Sequence, residues 1–153
     1  MSKVKVGVAG YGAIGQRLAD GVAAQDDMEL VGVADVAPTL AVKALAERGM
    51  PYDLYTAMPG AEETLEAAGI PVAGDFDDLL SKVDIMLDAA PGGIGAKNKV
   101  KYEAAGIPAV FQGGESGEVA DVFFHGYANY EEGVGKDYLK LTSCNTTGFV
   151  RAV

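Results

Sequence analysis

Six residues, Gly10-Tyr11-Gly12-Ala13-Ile14-Gly15, constrain this chain more than any others. They form a G-x-G-x-x-G set between Lys3–Ala9 (KVKVGVA), a β-branched run that reads as a buried strand, and Ile14–Gln25, which reads as a helix with Leu18 and Val22 four apart. The bare pattern is weak; a strand before it and a helix after it give it meaning. Gly10 permits a tight turn, Gly12 lets main chain approach a pyrophosphate with no Cβ in the way, and Gly15 lets the helix lie close to the strand. The helix start then offers unpaired N–H groups and a partial positive charge to an anion. A tight packing turn without a ligand is the competing reading.

The alternation continues down the chain. Strands are expected at Leu30–Asp35, Tyr52–Ala57, Val72–Ala73, Val83–Ala89, Ala109–Gln112, Val122–Tyr127 and Tyr138–Thr142, and helices at Thr39–Arg48, Pro59–Ala68, Asp75–Lys82 and Ala96–Ala105. A βαβα rhythm of this kind predicts an α/β fold: a Rossmann-like, doubly wound, mostly parallel sheet with helices on both faces. The segment EAAGIP occurs twice, at Glu66–Pro71 and Glu103–Pro108. Two copies make no solenoid. They read as two helix ends of one design, with Gly69 and Gly106 in the left-handed position, Ile70 and Ile107 packing back, and Pro71 and Pro108 preventing continuation.

Composition narrows the function classes. At 153 residues with 49% hydrophobic side chains, the chain fits one domain with a real core and is too apolar to be disordered. No apolar run approaches the ~18–20 residues of a membrane span, and no leader pattern is present. Twelve Lys and Arg against 22 Asp and Glu give a net charge of −10, which argues against nucleic acid and anionic membrane surfaces as partners. A single cysteine fits a reducing, cytoplasmic compartment.

Asp35 closes the second strand, 20 residues after Gly15, where a carboxylate accepts hydrogen bonds from adenosine ribose hydroxyls. It would repel a 2′-phosphate, so NAD is preferred to NADP. A loop aspartate capping the next turn is the other reading. Ala89-Ala90-Pro91-Gly92-Gly93 and Gln112-Gly113-Gly114-Glu115 each follow a strand. In a doubly wound sheet such loops flank the ligand, so Pro91, Gly92, Gly113 and Gly114 are cofactor candidates; ordinary turn chemistry explains them equally well.

The lone Cys144 stands in Thr142-Ser143-Cys144-Asn145-Thr146-Thr147, with Ser143 suited to cap a helix beginning at Cys144. A thiol at a helix N-terminus has its thiolate stabilised, and the thiolate is the nucleophile. Beside a dinucleotide site it points to addition to an aldehyde, hydride loss to nicotinamide, and cleavage of the resulting thioester, with a general base taking the proton. A buried, inert cysteine is the alternative. His125 is the only histidine, and a surface or strand-end role suits it better than that of the base.

Taken together, Gly10–Gly15, YDLY at Tyr52–Tyr55, GGIGAKN at Gly92–Asn98, FQGGE at Phe111–Glu115, NYE at Asn129–Glu131, GKDY at Gly135–Tyr138 and SCNTTG at Ser143–Gly148 resemble the N-terminal half of archaeal-type (class II) glyceraldehyde-3-phosphate dehydrogenase. The resemblance implies that Cys144 is the catalytic nucleophile, that Ser143 and Asn145 contact an aldehyde phosphate substrate, and that Gly10, Tyr11, Gly12, Ala13, Ile14, Gly15, Gly113 and Gly114 hold the cofactor. It implies residues 1–143 as a dinucleotide-binding domain, and residues 144–153 as the start of a helix leading to an absent catalytic domain that carries the histidine base. Cofactor binding without turnover is then expected, as are exposed apolar patches through which copies could associate as a homo-oligomer. The chain departs from the family at Ala9, where Asn is usual, at Asp35, where Lys is usual, and at Ala89–Gly93. These differences favour NAD and leave two alternatives, a free-standing dinucleotide-sensing module and a domain of another aldehyde or amino-acid dehydrogenase.

Overall fold

The computed structural model describes residues 2–153. Seven strands, β1 (Val4–Ala9), β2 (Met28–Asp35), β3 (Asp53–Thr56), β4 (Ile85–Asp88), β5 (Ala109–Phe111), β6 (Val122–Phe124) and β7 (Tyr138–Leu141), form one sheet in the order β3-β2-β1-β4-β5-β7-β6. Every pairing is parallel, so the expected "mostly parallel" sheet is wholly so among the described residues. The helices are α1 (Ala13–Ala23), α2 (Leu40–Glu47), α3 (Ala61–Ala67), α4 (Phe76–Leu80), α5 (Gly95–Ala105), α6 (Tyr130–Gly133) and α7 (Cys144–Ala152).

Strand alternation sorts the core into two layers. Val8, Val33 and Leu54 point to one face with Ala19 of α1, Val42 and Leu45 of α2 and Leu65 of α3. Ala9, Ala34, Tyr55, Met86 and Phe111 point to the other, with Phe76 and Leu79 of α4 and Tyr102 of α5. Each fully buried Val, Leu or Phe contributes roughly 1.5–3 kcal/mol over its exposed state. These two layers hold a sheet whose strands are only three to eight residues long.

Both EAAGIP segments close helices in the same way. Gly69 and Gly106 have φ of 75° and 68°. Ile70 N donates to Leu65 O and Gly69 N to Glu66 O, while Ile107 N donates to Tyr102 O and Gly106 N to Glu103 O. These are paired Schellman bonds, and Ile70 is buried behind its glycine.

Three expectations need correction. Val72–Ala73 is no strand: Ala73 N donates to Leu54 O and Thr56 N to Gly74 O, but the segment stops there. Pro71 has no N–H to extend that ladder, and Gly74 turns away at φ 156°. The helix expected from Thr39 begins at Leu40, because the Thr39 hydroxyl caps it by accepting from Val42 N. The strand expected over Val122–Tyr127 ends at Phe124, where His125–Ala128 curl into a turn.

Candidate functional site

Because all seven strands run one way, their carboxyl ends share one edge. The chain order reverses between β1 and β4, which opens a crevice there. The Gly10–Gly15 turn leaves β1 at this crevice. Gly10 has φ 85°, a conformation in which side chains are strained, and a Cβ on it would press on the Ala89–Ala90 peptide at 3.1 Å. A Cβ on Gly15 would overlap the Gly10 carbonyl oxygen. Gly12 differs: a Cβ there would meet no protein atom within 4 Å. The first glycine and the third are thus required by the fold, whereas Gly12 faces free space at the start of α1. No side chain caps that start and no acidic residue stands in its first turn. Ala13 and Ile14 lie exposed beside it.

A cleft of about 500 Å³ adjoins this helix start, lined by Tyr11, Gly12, Gln16, Asp35, Leu40 and Ala44 among others. Tyr11 itself is buried, and its hydroxyl bonds that of Tyr52, whose own titration is pushed up by burial and then by this bond. Asp35 stands at the end of β2. Its Oδ2 accepts from Tyr11 N at 2.8 Å, and its Oδ1 accepts from Val36 N at 2.7 Å and Ala37 N at 3.4 Å. So Asp35 does cap the next turn, and it also ties the glycine turn to β2. A carboxylate offers about four acceptor positions. Three are used, which leaves one toward the cleft.

The loop after β4 meets the glycine turn on one side and the loop after β5 on the other, main chain to main chain. A Cβ on Gly113 would overlap the Ala90 carbonyl oxygen, and one on Gly92 would lie 3.0 Å from Gly114 O. Pro91 and Gly92 are exposed above this seam. The glycines at 92, 113 and 114 are therefore close-approach residues. Glu115 accepts from Gly95 N at 2.8 Å and so caps α5.

Cys144 opens α7, which leaves β7 beside β5. Ser143 Oγ accepts from Thr146 N at 3.2 Å, the cap expected of it. Cys144 is exposed, which removes the reading of a buried, inert thiol. Its Sγ stands 4.0 Å from Asn145 Oδ1, toward which it can donate. His125 is buried, Nδ1 accepts from Tyr127 N at 3.2 Å, and Nε2 has no partner among the described residues. Among the described residues no group of three or more His, Cys, Asp or Glu could hold a metal ion, and no helix is long and apolar enough to cross a membrane.

Two buried charged residues were not singled out from the sequence. Asp88, 1% exposed at the end of β4, accepts from Ala90 N, Asn98 Nδ2 and Tyr102 Oη. Burial, then Asp88, drives the Tyr102 hydroxyl far above its usual range. Lys140 lies buried on β7, its Nζ donating to Leu141 O. Burial lowers its pKa, partly offset by Glu115. The only sequence signal for either was a charge inside an apolar strand.

Comparison with known proteins accords with this geometry. The chain is 52% identical over 151 residues, 99% of its length, to glyceraldehyde-3-phosphate dehydrogenase of Thermococcus kodakarensis. It is 52% identical to that of Archaeoglobus fulgidus and 47% identical to that of Methanothermobacter thermautotrophicus. It spans a little under half the length of these relatives, 44–45%. No family model matches it. Among solved structures it resembles GenD2 from gentamicin A biosynthesis in complex with NAD, with TM-score 0.57 and 18% identity over 92% of this chain and 34% of that one. It also resembles the WlbA dehydrogenase from Bordetella pertussis in complex with NADH and UDP-GlcNAcA, with TM-score 0.52 and 22% identity over 72% of this chain and 27% of that one. At such identities these two speak for the fold alone.

Proposed function

We propose that the chain, 52% identical to archaeal glyceraldehyde-3-phosphate dehydrogenases over nearly all of its length, is the NAD-binding half of a phosphorylating dehydrogenase of that kind and carries its nucleophile. The observation that carries this reading is the shared edge. The open helix start at Gly12 and the exposed thiol at the start of α7 leave the same end of one parallel sheet.

In this reading the amides around Gly12, Ala13 and Ile14 hold the pyrophosphate, Asp35 takes the ribose hydroxyls, and Pro91, Gly92, Gly113 and Gly114 flank the nicotinamide. Open space over Gly12 and an uncapped helix start fit such a group. When bound, the nicotinamide supplies a hydride acceptor. Cys144 Sγ attacks the aldehyde carbon of a substrate held by Ser143 and Asn145, a C–S bond forms, and the carbonyl oxygen takes up a proton. Hydride loss with removal of that proton leaves a thioester on Cys144. Phosphate attacks the thioester, the C–S bond breaks, and an acyl phosphate leaves with the thiol restored. The proton needs a base. His125 is tied into its own turn, and the resemblance assigns the base to the portion of the relatives that this chain does not match. The chain alone therefore binds cofactor without turnover.

Calorimetric titration with NAD and NADP tests the reading. NAD is expected to bind more tightly, and Asp35→Ala to narrow the NAD/NADP ratio at least fivefold. The ratio is the proper readout, because losing the Tyr11 tie would weaken both nucleotides alike. No binding of either nucleotide sinks the reading, an unchanged ratio sinks the ribose assignment, and robust NADH formation from glyceraldehyde 3-phosphate by this chain alone refutes the missing base.

A further inference from the structure

The Asp88 carboxylate is buried at the switch point, and among the described residues no Lys or Arg forms an ion pair with it. Three neutral donors satisfy it: Ala90 N at 2.9 Å, Asn98 Nδ2 at 2.9 Å and Tyr102 Oη at 2.7 Å. The first closes a turn two residues long, in which the side chain sets the orientation of the Ala90 peptide. The main-chain oxygen of the same residue accepts from Gln112 N at 2.7 Å and Gly113 N at 3.2 Å. Asp88 thus holds both loops that leave the two strands beyond β1.

The Ala90 peptide is also where the glycines converge. The Ala89–Ala90 peptide on the nitrogen side of Ala90 would stand 3.1 Å from a Cβ on Gly10, whose φ of 85° already disfavours one, and the carbonyl oxygen of the next peptide, Ala90–Pro91, would overlap a Cβ on Gly113. An error at Ala90 is transmitted through its two flanking peptides, to Gly10 at the end of β1 on one side and to Gly113–Gly114 on the other. The helix start at Gly12 and the Asp35 corner are tied to β2 instead, through Tyr11 N.

We propose that Asp88 is a positioning residue that, through the Ala90 peptide, sets the nicotinamide-side loops at 89–93 and 112–114 without touching the cofactor. This rests on the cofactor reading above. It separates the two halves of the dinucleotide: the nicotinamide half depends on Asp88, the adenosine half on Asp35.

The expected signature is a change in selectivity between nucleotides. Asp88→Ala leaves Ala90 N and Tyr102 Oη without an acceptor, and is expected to weaken NAD at least tenfold while AMP binding stays within twofold of the parent chain. Asp88→Asn keeps the shape and an acceptor for Ala90 N; Asn98 can turn its amide and Tyr102 can accept, so NAD affinity is expected to stay within threefold. Equal weakening of NAD and AMP in Asp88→Ala, or unchanged NAD binding, overturns the proposal. Should Asp88→Ala fail to fold, Gly113→Ala pushes on the Ala90 carbonyl from the other side and must lower the NAD/AMP affinity ratio; an unchanged ratio overturns it equally. A parent chain that binds neither nucleotide refutes the cofactor reading itself. One that binds NAD no more tightly than AMP refutes this proposal and leaves that reading standing.

Discussion

Adding one methyl group at Gly12 separates what the fold requires from what the ligand requires. A Cβ at Gly12 meets no protein atom within 4 Å, and its φ of −78° and ψ of −164° are ordinary for alanine. Two small effects on stability oppose one another: alanine restricts the unfolded chain, worth about 0.4–1 kcal/mol, and is a poorer N-cap by a similar amount. Thermal unfolding of Gly12→Ala should therefore stay within about 2–4 °C of the parent, the shift expected for ~1 kcal/mol at this size. Nucleotide binding should not survive as well. The methyl stands where the pyrophosphate must meet the α1 amides, and losing one charge-assisted bond costs about 1.5–3 kcal/mol, or roughly 10- to 150-fold in affinity. Gly15→Ala is the control. Its Cβ runs into the Gly10 carbonyl, so α1 must retreat from the sheet, and about 1–3 kcal/mol of stability goes with the affinity. Differential scanning fluorimetry beside calorimetry reads both quantities. If Gly12→Ala binds NAD within twofold of the parent at unchanged melting temperature, no anion sits over that helix start and the site assignment fails.

The buried ammonium of Lys140 should leave a mark on the pH dependence of stability. Its folded-state pKa is lowered from 10.5, so between that lowered value and 10.5 the unfolded chain holds more protons, and stability rises with pH across this window. The raised pKa values of Tyr52, Tyr102 and Tyr138 act oppositely, and only above about pH 10. Lys140→Met should flatten the rise in urea-unfolding free energy below pH 10; parallel curves for variant and parent would exclude the burial cost. The exposed Cys144 should be alkylated by iodoacetamide in the native chain without denaturant, and saturating NAD should slow that reaction at least threefold. Absence of protection would place the thiol away from the nicotinamide.

How much of this was legible depended on how local the cause was. The glycine turn, the Ser143 cap and the two EAAGIP helix ends are set by neighbours within a few residues, and the structure has them where the sequence put them. Asp35 was half legible: its place at the end of β2 could be counted from Gly15, but its bond to Tyr11 N needed two strands side by side. Asp88 was invisible in VDIMLDA, because its partners Asn98 and Tyr102 belong to a helix ten or more residues on. The short helix Tyr130–Gly133 was missed as well. Its glycine ending weakens the propensity signal, and it is held by Gly133 lying against the Phe124 ring rather than by any periodicity.

The order of the last two strands could not be read locally either, yet it decides where the thiol goes. Sequential placement would put β6 beside β5 and β7 at the sheet edge. Instead β7 pairs with both β5 and β6 and takes the inner position. Adjacent strands are ~4.8 Å apart, so Cys144 starts about one strand spacing nearer the β1–β4 crevice than chain order alone would give. That inner place also sets Lys140 in register with Phe111 and buries it. The buried lysine and the thiol's approach to the crevice are then two consequences of a single crossover. A chain that moved β7 to the edge would relieve the first and lose the second.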